Sequence, residues 1–256
     1  MPFFLLILSL FYTEVGLCQT HPTIRTGRPG KSIGPFVLGH DWVQIQSGLE
    51  HKRLEGERVG ENNLLGTVIR FGLDESWEIN GRLNYTDTTQ RLPTYNPRNS
   101  RVNAFNLGFR YNIVNNPQKT IKGLGFQTHF KVANDKGEFD SPSLLPIFTL
   151  ASLIQIHPEI RLISNIGTTF EETEPSPFYF ATLNFAHNLN DKWGSFLEIF
   201  ANRTGSINRA YLDGGVFFLL NPDLQLDAAF GWGNNQSQTE YFVDIGVSWR
   251  FHTNER

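Results

Sequence analysis

From Trp42 to Phe251 the chain repeats one pattern: segments of about 10 to 13 residues in which apolar and polar side chains alternate, each bounded by turn residues. Alternation of this kind places successive side chains on opposite faces of an extended strand. A helix would instead repeat its apolar positions every three to four residues. The pattern is clearest in the last segment, where Tyr241, Val243, Ile245, Val247, Trp249 and Phe251 share one face. Asp244, Gly246, Ser248 and Arg250 take the other, and Phe242 alone breaks the rule. Between 102 and 114, Phe105, Leu107, Phe109, Tyr111 and Ile113 likewise oppose Asn106, Gly108, Arg110 and Asn112.

The periodicity predicts strands over 42–54, 63–73, 77–88, 102–114, 124–134, 144–157, 160–171, 178–189, 193–204, 208–220, 224–235 and 240–251, twelve in all. Turns at Asp74-Glu75-Ser76, Pro158-Glu159, Asn190-Asp191-Lys192 and Pro222-Asp223 are short. The opposite connections, over 55–62, 89–101, 135–143 and 172–177, are longer, polar and rich in Pro and Gly. Transmembrane barrels have this asymmetry, with short periplasmic turns and longer extracellular loops. The connection 115–123 is longer than a periplasmic turn should be.

A soluble sandwich also alternates, so the choice between sandwich and barrel needs more. Trp42, Trp77, Trp193 and Trp249 stand at strand ends, as in an interfacial girdle. No window reaches ~18 consecutive apolar residues, which excludes helical spans. Mean hydropathy is −0.29 although 13% of residues are aromatic, as expected where lipid-facing and water-facing positions average out. In lipid, only closure satisfies the edges of a sheet. The expected fold is all-β: a closed antiparallel transmembrane barrel of about twelve strands over 42–251.

Residues 1–18 read as a secretory signal peptide, since the apolar run Phe3 to Tyr12 is too short to span a bilayer and small or polar residues follow at Gly16, Cys18 and Gln19. Cys18 is the only cysteine, so no internal disulfide forms. Residues 19–41 carry Pro22, Gly27, Pro29, Gly30, Gly34, Pro35 and Gly39, a density of breakers that makes an extended leader. With Arg25, Arg28 and Lys31, that leader is open to two readings, a lumen plug against acidic strands and a free periplasmic tail. Residues 252–256 form a polar tail. A net charge of −3 advertises no nucleic-acid partner.

Assigning the polar parity to the lumen puts Arg70, Arg82, Arg110, His129, Lys131 and Arg161 inside the first seven strands, and Glu198, Asp213, Asp227 and Asp244 inside the last four. Facing charges of opposite sign would either pair and fill a narrow lumen or set a transverse field across it. Glu50, Glu78 and Arg250 break the division and are expected to pair around the closing seam. His129 is the only mid-strand histidine on the lumen parity, and no nucleophile with a base accompanies it, so no catalytic residue is assigned. No spaced His/Cys/Asp/Glu cluster suggests a metal, the run Glu171 to Glu174 reads as a solvated loop, and Gly231 and Gly233 precede no helix. No cofactor is expected.

Asp244, Gly246, Trp249 and Phe251 lie at the spacing of the C-terminal signal by which the barrel-assembly machinery recognises outer-membrane barrels, and the closing strand resembles it. The chain as a whole resembles the outer-membrane "transporter" family labelled MetA-pathway of phenol degradation, whose relatives include the secretion channel for functional amyloid subunits. The likeness rests on Arg28-Pro29, Ile33-Gly34-Pro35-Phe36-Val37, Gln44-Ile45-Gln46-Ser47-Gly48, Asn63-Leu64-Leu65, Arg70-Phe71-Gly72-Leu73, Trp77-Glu78-Ile79 and Leu220 to Asp227, with the Tyr241 to Phe251 strand. Gly27 stands where the family carries an acidic residue. The resemblance implies a twelve-stranded channel in the Gram-negative outer membrane, reached by Sec-type export and contacting outer-membrane lipid. Its expected function is passive passage of small solutes, hydrophobic or aromatic ones included, gated by loops or leader. The alternatives are an enzyme acting on lipid and an export channel for a secreted peptide.

Overall fold

The segments that alternate in sequence are all strands: β1 (Trp42–Glu55), β2 (Val59–Gly72), β3 (Trp77–Arg91), β4 (Arg98–Asn115), β5 (Ile121–Lys131), β6 (Leu145–His157), β7 (Ile160–Thr169), β8 (Phe178–Asn188), β9 (Trp193–Thr204), β10 (Ile207–Asn221), β11 (Leu224–Asn235) and β12 (Gln238–His252). The computed structural model describes residues 21–56, 59–91, 96–131, 145–170, 176–205, 207–235 and 238–254. The expected signal peptide and the run Glu171 to Glu174 lie outside them. Each strand pairs antiparallel with its sequence neighbours, and β1 pairs with β12 to close the barrel. At that seam Trp42 meets His252 and Glu55 meets Thr239, so the last strand is in register along its whole length with the first.

The wall is inverted relative to a soluble protein. Gln44, Glu78, Glu198 and Ser248 are fully buried, while Leu49, Ile69, Leu107, Leu197, Ile245 and Trp249 are exposed. An apolar surface of this extent is compatible only with a hydrocarbon surround. Its rims are marked. Trp77, Trp193 and Trp249 are exposed at the end with the turns, and Tyr85, Tyr179, Trp232 and Tyr241 at the other. On β3 (Trp77 to Tyr85) and on β12 (Tyr241 to Trp249) the rims are eight residues apart. Eight residues rise ~27 Å along a strand and less once tilted, close to the height of a barrel's apolar band.

The strands outrun that band. Beyond Tyr85 the outer face turns ionic, with Asp87 bonded to Arg98 at 2.5 Å, Arg53 to Glu55 at 3.0 Å, and Glu61 paired with Arg91. This corrects two of the expected loops. Most of 55–62 and 89–101 is strand, because polar residues beyond the bilayer keep the ladder, Leu54 opposite Gly60 and Thr89 opposite Arg98. The expected length asymmetry also fails at two hairpins on that side, since Thr204 passes to Ile207 and Asn235 to Gln238. The oversized 115–123 connection contracts for the same reason: β4 runs to Asn115, and the turn closes with Asn116 N–H donating to the Lys122 carbonyl at 2.8 Å.

Residues 21–41 enter at the turn end, cross the lumen and return to β1. The return is tight. Gly39 adopts φ 90°, and a Cβ on Gly72 would lie 1.7 Å from the Gly39 carbonyl oxygen, so glycine at both places lets leader and wall touch. Asp41 follows at φ 61°, and its carbonyl accepts the Thr253 N–H at 2.9 Å. The start of the expected polar tail is therefore tied to the leader's end, with His252 still in β12.

Candidate functional site

An extended segment inside a barrel has no ladder to satisfy its backbone, so its buried N–H groups and carbonyls need partners from elsewhere, chiefly wall side chains. The inward faces supply them. Gln44 and Arg70 donate to the Arg25 carbonyl, each at 3.1 Å, and the Gly27 N–H donates to Gln46 at 3.2 Å. Gln225 donates to the Arg28 carbonyl at 3.1 Å. Glu198 accepts the consecutive N–H groups of Lys31 and Ser32, one on each oxygen, at 2.6 and 2.8 Å. Asn165 brackets Ile33, accepting from its N–H at 2.8 Å and donating to its carbonyl at 2.9 Å. Arg70 and Arg110 both donate to the Phe36 carbonyl at 3.1 Å.

Charge fixes the register. Arg28 reaches Asp244 at 2.7 Å and Asp227 at 3.1 Å through one nitrogen. Burial disfavours its charge, but the two carboxylates outweigh this and hold the guanidinium above its ordinary range. Lys31 pairs with Glu50, which Lys52 also approaches at 3.3 Å. His21, at the leader's start, is pushed down to about 4 by burial and by Arg25.

The ten lumen-parity residues divide by position. Arg70, Arg110, Glu198, Asp227 and Asp244 converge on the leader. His129 is buried beyond Arg110 toward the loop end and contacts Gln127 at 3.0 Å. Arg82 and Lys131 both lie opposite Asn106 in register, further toward the loop end. Arg161 is at the turn end, donating to Asn188 at 2.7 Å. Asp213 is buried opposite Glu198 in the β9–β10 register, and neither of its oxygens has a hydrogen-bond partner among the described residues. Of the four residues expected to form the assembly signal, Asp244 and Gly246 face inward under Arg28, while the rings of Trp249 and Phe251 meet outside at 4.5 Å, tilted by 34°.

The expected pairing of Glu50, Glu78 and Arg250 around the seam is not what forms. Glu78 takes a bidentate bond from Arg70, at 2.6 and 2.7 Å, across the β2–β3 turn; Glu50 takes Lys31; Arg250 takes Asp223 at 2.6 Å. Each charge found its partner one hairpin away or on the leader, because register and not strand number sets proximity. Sorting charges by strand also missed the neutral side chains that carry the leader, Gln44, Gln46, Asn165 and Gln225. It missed the inward aromatics too. Phe242, the exception in the last strand, lies over Gly231, whose Cβ would fall 2.3 Å from its ring. Phe200 and Tyr211 stack inside at 4.5 Å. An inward glycine facing an aromatic residue across the ladder is the signal that could have revealed them.

At the turn end the leader leaves a cavity of about 620 Å³, lined by Arg25 and Arg161 and by Leu153, Phe196, Phe217 and Leu219. Among the described residues no group of three or more His, Cys, Asp or Glu is arranged to hold a metal ion.

Comparison with known proteins places this architecture. A solved outer membrane channel from Pseudomonas putida F1 is similar with a TM-score of 0.66 at 10% identity, over 87% of this chain and 99% of that one. The translocator domain of the autotransporter NalP from Neisseria meningitidis gives 0.52 at 14%, over 83% and 89%. The CymD monoaromatic hydrocarbon channel gives 0.50 at 8%, over 84% and 90%. At such identities the likeness is one of fold. No curated protein matches the sequence. A family model described as "Putative MetA-pathway of phenol degradation" matches residues 26–251. Since that match takes in all twelve strands and most of the leader, the chain belongs to this family.

Proposed function

We propose that this chain is a passive outer-membrane channel for small solutes, hydrophobic and aromatic ones included, whose lumen is closed by its own leader. One observation carries the reading: Arg28 joins Asp227 and Asp244 in mid-lumen while wall side chains hold the backbone on either side of it. Charge pairs and side-chain contacts of this kind can exchange for water when a segment leaves, unlike a β ladder. Arg70, Arg82, Arg110, His129, Lys131, Arg161, Glu198, Asp213, Asp227 and Asp244 are the proposed pore lining, and solute passes without reaction. The family label and the hydrocarbon named for CymD favour apolar solutes. The same reading takes 1–18 as a Sec-type signal, with Asp244, Gly246, Trp249 and Phe251 presented to the barrel-assembly machinery.

The test is single-channel conductance and liposome swelling with graded solutes, for the full protein and for one lacking residues 20–38. Deletion should raise conductance severalfold; unchanged conductance removes the leader from the gate, and a lumen still closed to every solute removes the channel.

Export of an extended peptide is a second reading, favoured by how the leader is held: Glu198, Asn165, Gln46 and Gln225 bind backbone groups, which any sequence offers. Block of the deleted channel by peptides of unrelated sequence would favour it. Block only by the leader's own sequence would count against it.

A further inference from the structure

The turn-end cavity is amphipathic. Leu153, Phe196, Phe217 and Leu219 form one side, and guanidinium groups the other. Most of those cations have acceptors: Arg28 has its two aspartates, Arg70 has Glu78, and Arg110 has Gln127 at 2.8 Å. Two do not.

Arg25 offers five N–H donors, and none meets an acceptor among the described residues; its guanidinium lies 4.1 Å from the Phe36 ring centroid. Arg161 donates once, to Asn188, while its Nε is buried without a partner. The carboxylates on the cavity rim, Glu159 and Asp191, belong to turns, and Glu159 faces His187 at 3.7 Å. Burial, with Arg161 and Arg250 nearby, pushes Arg25 down to about 10, the direction of a cation lacking a counter-charge.

We infer that this cavity is a binding site for small organic monoanions, with a carboxylate between Arg25 and Arg161 and an aryl or alkyl body against Phe196, Phe217 and Leu153. A guanidinium presents two parallel donors at the spacing of a carboxylate. The volume lies within the range of small-molecule sites. The inference deepens the channel reading by naming a solute class at the turn-side mouth, and it rests on that reading only for its role in transport.

The experiment is calorimetric titration of the full protein in detergent micelles with benzoate, benzyl alcohol and acetate. Benzoate should bind saturably and about tenfold or more tighter than either of the others. Arg161→Gln should remove that advantage and leave the benzyl alcohol response unchanged; among the described residues Arg161 makes no hydrogen bond to the leader, so the variant leaves the leader docked. Arg25→Gln should do the same. Equal binding of benzoate and benzyl alcohol overturns the site, as does an Arg161→Gln protein that still prefers benzoate. Conductance of the full protein and of the one lacking residues 20–38 separates the two ideas. Conductance raised by the deletion without a benzoate preference in the full protein loses this site alone, and a benzoate preference with a lumen that stays closed even after the deletion loses the channel alone.

Discussion

Gly48 on β1 and Gly246 on β12 are register partners across the closing seam, and the Arg28 guanidinium lies flat over both. A Cβ on Gly48 would fall 2.1 Å from the guanidinium carbon, and one on Gly246 2.2 Å from Nε. The seam is thus a floor cut for one leader residue. Gly48→Ala should push Arg28 off Asp244 and expose the leader. Trypsin cleavage after Arg25 and Lys31 reads this, and a variant as protected as the native protein would show that the floor is not needed.

Arg28→Gln goes further, because it leaves Asp227, whose side chain is fully buried, beside Asp244 with no cation. Breaking a buried pair costs about 3–5 kcal/mol, and undocking of the leader relieves it by letting water in. The expected result is a leader cleaved as fast as in unfolded protein, with a lowered Tm in detergent. Adding Asp227→Asn and Asp244→Asn should recover part of the loss, and that coupling separates a charge effect from lost packing.

Arg70 anchors two things at once, Glu78 across the β2–β3 turn and the carbonyls of Arg25 and Phe36. Lysine keeps the charge and loses the fork. Arg70→Lys should cost about 2 kcal/mol in a urea titration and raise basal conductance, whereas Glu78→Gln should lower stability with the leader still held. Equal effects of the two on the leader would mean that Arg70 acts only through Glu78.

The barrel was legible because its cause is local: twelve alternations, each readable within one segment, plus turn residues between them. The rims were half legible, since Trp77, Trp193 and Trp249 mark strand starts and ends while Tyr85 lies well inside a strand that outruns the membrane. The site was not legible in the same way. Arg28 and Asp244 are 216 positions apart and meet only because β12 closes on β1, and nothing near either residue announces the other. Arg70 and Glu78 are eight apart, so hairpin register alone could have paired them. The lumen aromatics Phe196 and Phe217 were hidden because a parity rule sends aromatic residues outward, and Phe242 showed only as the exception to that rule.

Acid should loosen the leader through His21. Its docked pKa is held near 4, by burial first and by Arg25 second, against 6.5 when released, with the Thr23 carbonyl opposing. Above 6.5 both states are neutral and docking is unaffected. As pH falls through 6.5, only the released leader takes the proton, so the penalty grows until about pH 4 and then levels. Trypsin sensitivity should therefore rise between pH 7 and pH 5.5, and His21→Gln should flatten that slope. An equal slope in the variant would assign the effect to other groups.

Glu198 and Ile199 are adjacent on β9 and face opposite solvents: Glu198 is fully buried against the leader backbone, and Ile199 is 54% exposed on the outer wall. The parity reading of the whole chain therefore predicts two unlike outcomes one residue apart. Ile199→Arg places a cation in the apolar band and should cost about 2–4 kcal/mol when the protein is folded into lipid vesicles, with trypsin protection of the leader unchanged. Glu198→Gln keeps the wall intact but weakens the hold on the Lys31 and Ser32 N–H groups, so it should cost less, about 1–2 kcal/mol, and expose the leader. Urea titration in vesicles measures the first effect and proteolysis the second. If Ile199→Arg costs nothing, that face does not meet hydrocarbon; if Glu198→Gln leaves the leader protected, the Glu198 contacts are not needed to hold the leader.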